Sequence, residues 1–244
     1  MLILQNVPLA PLTTLKVGGP ARYFIEARTA TEVRDAVDFA RSQELPLFVL
    51  GGGSNLVVSD AGWPGLALKI ALSGINHRHD RGSVVFEVAA GEDWDRFVAM
   101  AVAHNCAGVE CLSGIPGSVG GTPVQNVGAY GQEVAETIDA VQVLDLKQGE
   151  ERELLKDDCR FSYRTSIFNT TERGRYIILR VDFALKQGGE SRGEYADLKK
   201  YFAGWSALPT LAETREAVRQ IRSRKAMLIT PGDEDCRSAR APFP

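Results

Sequence analysis

The sequence predicts an α+β chain made of two successive mixed units. Three observations predict it. Helical periodicity is confined to three short stretches. Apolar, β-branched runs of strand length lie between them. At 244 residues the chain is long enough for one or two domains, each with a buried core.

The first unit covers about residues 20–70 and reads β-α-β-β. Thr29-Ala-Thr-Glu32 is a capping box. Behind it Val33, Ala36, Val37 and Ala40 recur at helical spacing, so a helix runs to about Ser42. The apolar run Leu45–Leu50 is a strand and delivers Gly51-Gly52-Gly53-Ser54-Asn55. Leu56–Val58 and Leu66–Ile70 read as further strands, with a turn at Asp60–Pro64.

The second unit opens with a strand at Val84–Ala90, closed by Gly91. A helix starts near Asp93, with Trp94, Phe97, Val98 and Ala101 as its buried stripe and Gly108 past its end. Ser113–Gly131 is a long loop. Ala140–Leu146 and Tyr176–Leu185 are strands, the second rich in β-branched residues. A further capping box, Thr210-Leu-Ala-Glu213, opens a helix with Ala217, Val218 and Ile221 on one face. After Ile229 the chain turns polar.

Composition narrows the function classes. The net charge of -3 lacks the basic footprint of a nucleic-acid binder. No apolar run approaches the roughly 18 residues of a membrane span, and no basic segment precedes the first apolar residues, so membrane insertion and export are not expected. Cys106, Cys111, Cys159 and Cys236 form no C-x-x-C, which predicts reduced thiols and a cytoplasmic protein.

Two segments carry chemistry. Ser113–Gly131 contains Gly114, Gly117, Gly120, Gly121, Gly128 and Gly131 and no Lys, Arg, Asp or Glu. Gly51–Asn55 is equally bare. Such backbone can follow a large ligand and turn N–H groups toward it. The pair suggests a nucleotide-type cofactor held from two sides; the alternative is two tight turns that serve packing. Neither loop is G-x-G-x-x-G or a P-loop. Arg164, in Phe161-Ser-Tyr-Arg-Thr-Ser-Ile-Phe168, can fork onto a carboxylate or phosphate, although alone it reads as a surface residue. His77 and His79 beside Asp80 read as an exposed polar turn, and no metal is expected. Arg215, Arg219 and Arg222 line one helical stripe and read as a solvated face.

Together these pieces resemble the UDP-N-acetylenolpyruvoylglucosamine reductase family. The matching segments are Val17–Phe24, Gly51–Asn55, Leu112–Gly117, Pro123–Gly131 and Tyr163–Phe168, in family order and spacing. The resemblance implies the FAD-binding fold of the vanillyl-alcohol-oxidase type. Two α+β subdomains, 1–70 and 71–205, would hold FAD between them, and 206–244 would begin a third, substrate domain. It implies NADPH as co-substrate, a UDP-sugar substrate and a role in peptidoglycan precursor synthesis. FAD would meet Gly51, Gly52, Gly53, Ser54 and Asn55, and also Ser118, Gly121, Thr122, Val124, Gln125, Gly128 and Tyr130. Arg164 would be catalytic, and Tyr163, Tyr195 and Lys225 would meet substrate.

The resemblance breaks near the end. Where the family continues from Cys-Arg-Ser-Ala into Gly-Ser-Phe-Phe-Lys-Asn-Pro, this chain reads Arg240-Ala241-Pro242-Phe243-Pro244. The family's proton-donating serine falls on Ala241, and the rest of the third domain is expected to be missing. A flavin-binding module without turnover and a binder of a non-flavin nucleotide are the alternative readings.

Overall fold

The computed structural model describes residues 1–192, 195–230 and 232. Its first sheet is built from β1 (Leu4–Pro8), β2 (Pro20–Ala27), β3 (Leu47–Leu50) and β4 (Trp63–Ile70), in the order β1-β2-β4-β3. β2, β4 and β3 are mutually parallel, and β1 is antiparallel to β2. The parallel connection runs through α1 (Ala30–Ser42), the crossover that such pairing requires. Thr29 caps α1, its hydroxyl accepting from the Glu32 amide at 3.1 Å, and Val33, Ala36, Val37 and Ala40 are buried.

The second sheet begins with β5 (Ile75–Asp80) and β6 (Ser83–Ala89). After α2 (Trp94–Ala103) come three two-residue strands: β7 (Cys106–Ala107), β8 (Gly128–Ala129) and β9 (Gln132–Glu133). β10 (Ile138–Asp145), β11 (Glu150–Leu155) and β12 (Tyr176–Gln187) complete an antiparallel sheet in the order β11-β10-β12-β6-β5. Trp94 and Phe97 of α2 pack on Phe183 of β12, with ring centroids 5.8 and 4.9 Å away. Two helices follow, the short α3 (Ala196–Tyr201) and the longer α4 (Leu211–Arg224).

Buried residues of α1, α2 and both sheets join in one continuous core, from Ile25 and Leu68 to Phe86, Val141 and Leu185. α1 also reaches the second sheet: Arg34 meets Glu151 at 2.5 Å, and Arg41 donates to the Leu146 carbonyl. A separate small cluster (Cys111, Tyr130, Leu198, Ala217, Val218 and Ile221) attaches α3 and α4.

Several expectations are corrected. Leu56–Val58 is loop, not strand. The turn lies at Ser59–Gly62, closed by the Gly62 amide on the Ser59 carbonyl at 2.8 Å, so Trp63 and Pro64 already belong to β4. Pro64 is tolerated because β3 pairs with β4 only from Leu66 onward, leaving its missing N–H without consequence. β3 itself starts at Leu47, after Pro46, rather than at Leu45. His77 and His79 lie on the exposed edge strand β5, not in a turn; the turn is Arg81-Gly82, both at positive φ as a tight hairpin requires. Among the described residues no group of His, Cys, Asp and Glu could hold a metal, and no helix is long and apolar enough to cross a membrane. Cys106, Cys111 and Cys159 are buried free thiols; Cys236 and Ala241 lie outside the described residues.

One buried charge at the end of β10 yields a prediction. Asp145 is fully buried and is gripped by Arg175, Nε to Oδ1 at 3.1 Å and Nη2 to Oδ2 at 2.7 Å. This grip, opposed by burial and aided by the Lys147 amide, holds its carboxyl at about 2. An unfolded Asp titrates near ~3.9. The folded value is the lower one, so the carboxylate stabilises the protein above about pH 4, and that contribution is lost as pH falls toward about 2. Asp145→Asn is therefore expected to lower the urea midpoint at pH 7, with the gap from wild type closing progressively from pH 4 to pH 2.

Candidate functional site

The two glycine loops meet backbone to backbone. β3 and β4 run parallel and end together, Leu50 opposite Lys69, so Gly51 emerges at the carboxyl end of the sheet. Lys69 Nζ donates to the Gly51 carbonyl. A Cβ on Gly52 would stand 2.5 Å from the Gly117 Cα, and one on Gly117, at φ +126°, would stand 2.7 Å from Ser54 Oγ. Asn55 Nδ2 donates to Gln125 Oε1 at 2.9 Å, across seventy residues of sequence. The packing reading of these loops thus holds for Gly52, Gly53 and Gly117. Gly53, at φ +69°, would put a Cβ 2.0 Å from the Leu12 carbonyl oxygen. It does not hold for Gly121, which is exposed and has nothing within 4 Å of a would-be Cβ.

The second loop is threaded onto the second unit through its own backbone. The Trp94 amide donates to the Gly117 carbonyl at 3.1 Å. The Val119 and Gly120 amides donate to the Glu92 and Ala90 carbonyls, each at 2.9 Å. Thr122 is buried, its hydroxyl donating to the Val119 carbonyl at 2.8 Å. Val124 and Gly128 are half-buried, and their carbonyls accept from Ser166 Oγ at 2.6 Å and Arg164 Nη2 at 3.0 Å. Among the described residues, Ser118 Oγ alone is a buried side-chain heteroatom with no hydrogen-bond partner. It lies 3.0 Å from where a Gly51 Cβ would stand, at the junction of the loops. Such an orphan costs about 1–3 kcal/mol and calls for a ligand atom that can satisfy it. A serine hydroxyl there can donate to an oxygen-rich group such as a diphosphate.

Arg164 is half-buried rather than a free surface residue. It sits at φ +57° in a tight turn, Ser162 and Thr165 exchanging backbone bonds of 3.0 and 3.1 Å. Tyr163 beside it is exposed, with its ring centre 5.8 Å from the guanidinium. Asn126, which sequence reasoning did not single out, ties this turn to the glycine loop. It is buried, at φ +44°, and donates to the Ser162 carbonyl at 2.9 Å and to Glu133 Oε2 at 2.8 Å. Its oxygen accepts from the Ala135 amide at 3.1 Å. The only sequence signal was a carboxamide in the middle of a loop bare of charge.

The arginine stripe of α4 is not a solvated face. Arg215 forks onto Asp95 of α2 at 2.6 and 2.9 Å, and Arg219 reaches the same carboxylate at 2.7 Å. Asp95 also accepts from the Gly114 amide at 2.6 Å. Burial pushes the Asp95 carboxyl up, but the Arg215 and Gly114 hydrogen bonds and the two arginine charges outweigh it and hold the group below its usual range. Arg222 is buried and donates to the Gly114 carbonyl at 3.1 Å and the Met227 carbonyl at 2.9 Å. Beside it Tyr130, buried at φ +49°, meets the half-exposed Tyr195 edge to face at 5.4 Å. Burial raises the Tyr130 phenol against the opposing charges of Arg222 and Lys225. Lys225 Nζ lies 2.5 Å from Asp197 Oδ2, a hydrogen bond that raises the ammonium. Tyr130, Tyr195 and Lys225 therefore share one side of the site, and Arg164 is tied to the same loop through Gly128.

This architecture defines an FAD-binding domain, and residues 21–154 match the family of that description. The chain belongs, within that class, to the UDP-N-acetylenolpyruvoylglucosamine reductase family. It is 46% identical to the reductase of Streptomyces coelicolor over 98% of this chain and 62% of that protein. It is 44% identical to that of Thermobifida fusca over 98% of this chain and 67% of that protein. The chain thus spans about two thirds of the length of such relatives. The crystal structure of the reductase from Thermus caldophilus superposes with a TM-score of 0.65 at 27% identity, covering 91% of this chain and 69% of that one. A cholesterol oxidase from B. sterolicum, at 13% identity and TM-score 0.57, covers 76% of this chain and 38% of its own; it shares the fold alone. The α+β fold of the vanillyl-alcohol-oxidase type is confirmed.

The loop contact predicts a contrast between two glycines. Gly52→Val is expected to lower the melting temperature even without flavin, because the new side chain strikes the Gly117 backbone. Gly121→Ala meets open space and is expected to melt like wild type. Thermal melts of both variants, freed of ligand, check this.

Proposed function

We propose that this chain serves the FAD- and NADPH-dependent reduction of UDP-N-acetylenolpyruvoylglucosamine to UDP-N-acetylmuramate. The observation that carries the reading is the unpartnered Ser118 hydroxyl, buried where two uncharged glycine loops touch in an FAD-binding fold. We assign Gly51–Asn55 and the stretch from Ser118 through Gly121, Thr122, Val124, Gln125 and Gly128 to Tyr130 to cofactor binding. The division into 1–70, 71–205 and 206–244 is proposed with it, the first two segments carrying the two sheets.

When bound, FAD would supply the redox chemistry, the passage of hydride from NADPH to the enolpyruvyl double bond. Reduction adds one hydride and one proton across that bond, and negative charge develops beside the substrate carboxylate. Arg164 is the cation placed for that charge. Its guanidinium is fixed by the Gly128 carbonyl and its backbone carbonyl by Asn169 Nδ2, so little reorganisation is needed as the charge grows. Tyr163 is exposed beside it and meets substrate from that side. Tyr195 packs on the nucleotide end of the substrate, and Lys225 meets the substrate from the same side. The family's proton-donating serine position, Ala241, lies outside the described residues.

The visible absorption spectrum of the purified chain, followed by NADPH oxidation with substrate, tests the reading. Bound flavin with turnover supports it. Flavin without turnover makes the chain a binding module, and no flavin makes it a binder of another nucleotide. Given turnover, Arg164→Lys is expected to retain flavin and its reduction by NADPH, while reoxidation by substrate slows by about 100-fold. Equal slowing of both half-reactions would place Arg164 with the cofactor instead. Stopped-flow flavin absorbance separates the two.

A further inference from the structure

The two loops bring no charge of their own. Gly51–Asn55 and Ser113–Gly131 contain no Lys or Arg, yet a flavin dinucleotide carries two negative charges on its diphosphate. Three cations reach the loops from outside, each through a backbone carbonyl: Lys69 on Gly51, Arg222 on Gly114 and Arg164 on Gly128. Arg164 is placed at the reacting end, and Arg222 is buried under the second loop. Lys69 is the one at the first loop.

We propose that Lys69 is a positioning residue for diphosphate binding: through the Gly51 carbonyl it fixes the Gly51–Gly52 peptide and sets positive charge beneath the first glycine loop. The inference rests on the FAD reading above. Lys69 stands opposite Leu50 at the carboxyl ends of parallel strands, the end at which open α/β sheets receive their ligands. Lys69 itself is half-buried at this end of the strand. In a planar trans peptide the C=O and N–H point to opposite sides. A carbonyl of Gly51 drawn to Lys69 therefore turns the Gly52 amide away from it, and the ammonium polarises that amide as a donor.

The charge on Lys69 has no direct ion-pair partner among the described residues. Glu26 pairs with it in register across β2, but the Glu26 carboxylate lies 2.5 Å from Arg28. Among the described residues no carboxylate comes within salt-bridge distance of Lys69. Burial pushes its ammonium down, with Glu26 acting the other way. A half-desolvated cation bonded only to a neutral carbonyl gains from an anion placed nearby.

The test titrates FAD and riboflavin separately into the ligand-free full chain by flavin fluorescence. Wild type, Lys69→Met and Lys69→Arg are compared at low and high salt. Lys69→Met is expected to raise the Kd for FAD about tenfold and to leave riboflavin binding unchanged, since riboflavin has no phosphate. Lys69→Arg should recover most of the loss, and high salt should narrow the gap between wild type and Lys69→Met. Equal FAD affinity in wild type and Lys69→Met, or equal losses for FAD and riboflavin, would overturn the proposal. Wild type that binds no FAD would instead overturn the reading on which it rests. If Lys69→Met does not fold, Lys69→Gln, which keeps a donor without the charge, decides by the same comparison.

Discussion

The site depends on a contact between two stretches of bare backbone. Gly52 lies against the Gly117 backbone so closely that a side chain on Gly52 would force the loops apart. That contact brings the carboxyl end of the parallel sheet against the loop that leaves the antiparallel sheet. Asn55 and Gln125 close the same junction with side chains, and Ser118 is left inside it without a partner. Two units with different strand geometry thus meet at one seam, and the seam is also the place with an unmet demand for a ligand.

The seam is neutral in sequence and electrostatically managed from outside. Cations from β4, α4 and the Ser162–Thr165 turn grip its carbonyls, and carbonyl groups engaged from behind leave amides facing elsewhere. Asp95 does the complementary work. It accepts from the Gly114 amide and from two arginines of α4, so the start of the glycine loop and the helix that carries Lys225 share one anchor. The arrangement separates shape, supplied by glycine, from charge, supplied by long side chains reaching in from rigid elements.

Much of this was legible in the sequence where the signal is local. The box at Thr210 and the caps at Thr29 and Asp93 mark helix starts because capping is a contact between neighbours in sequence, although the Glu32 carboxylate closes on the Arg28 amide rather than completing a box with Thr29. The buried stripes of α1, α2 and α4 follow from periodicity in the same way. β1, β5 and β11 escaped because they are edge strands, largely exposed and polar, with no alternation to read. The arginine stripe was misjudged for a different reason. Periodicity shows which residues share a face, not what opposes it, and the opposing Asp95 lies 120 residues away. Asn126 escaped likewise, since its partners at Ser162 and Ala135 are brought together only by the fold.

The central place of β12 bears on how the chain is made. Its partners flank it on both sides: β6, where Phe86 meets Phe183, and β10, where Val141 meets Val181. The first sheet is complete once residue 70 has left the ribosome, since all its strands lie upstream. The second cannot close until β12 emerges, and until then Trp94 and Phe97 lack the ring of Phe183 that packs on them. Long-range pairing of this kind is slow to form and leaves apolar surface open in the meantime. During synthesis, then, the half of the chain that carries the longer glycine loop matures last, and the loop is shaped only after its neighbours in sequence have waited for a strand made much later.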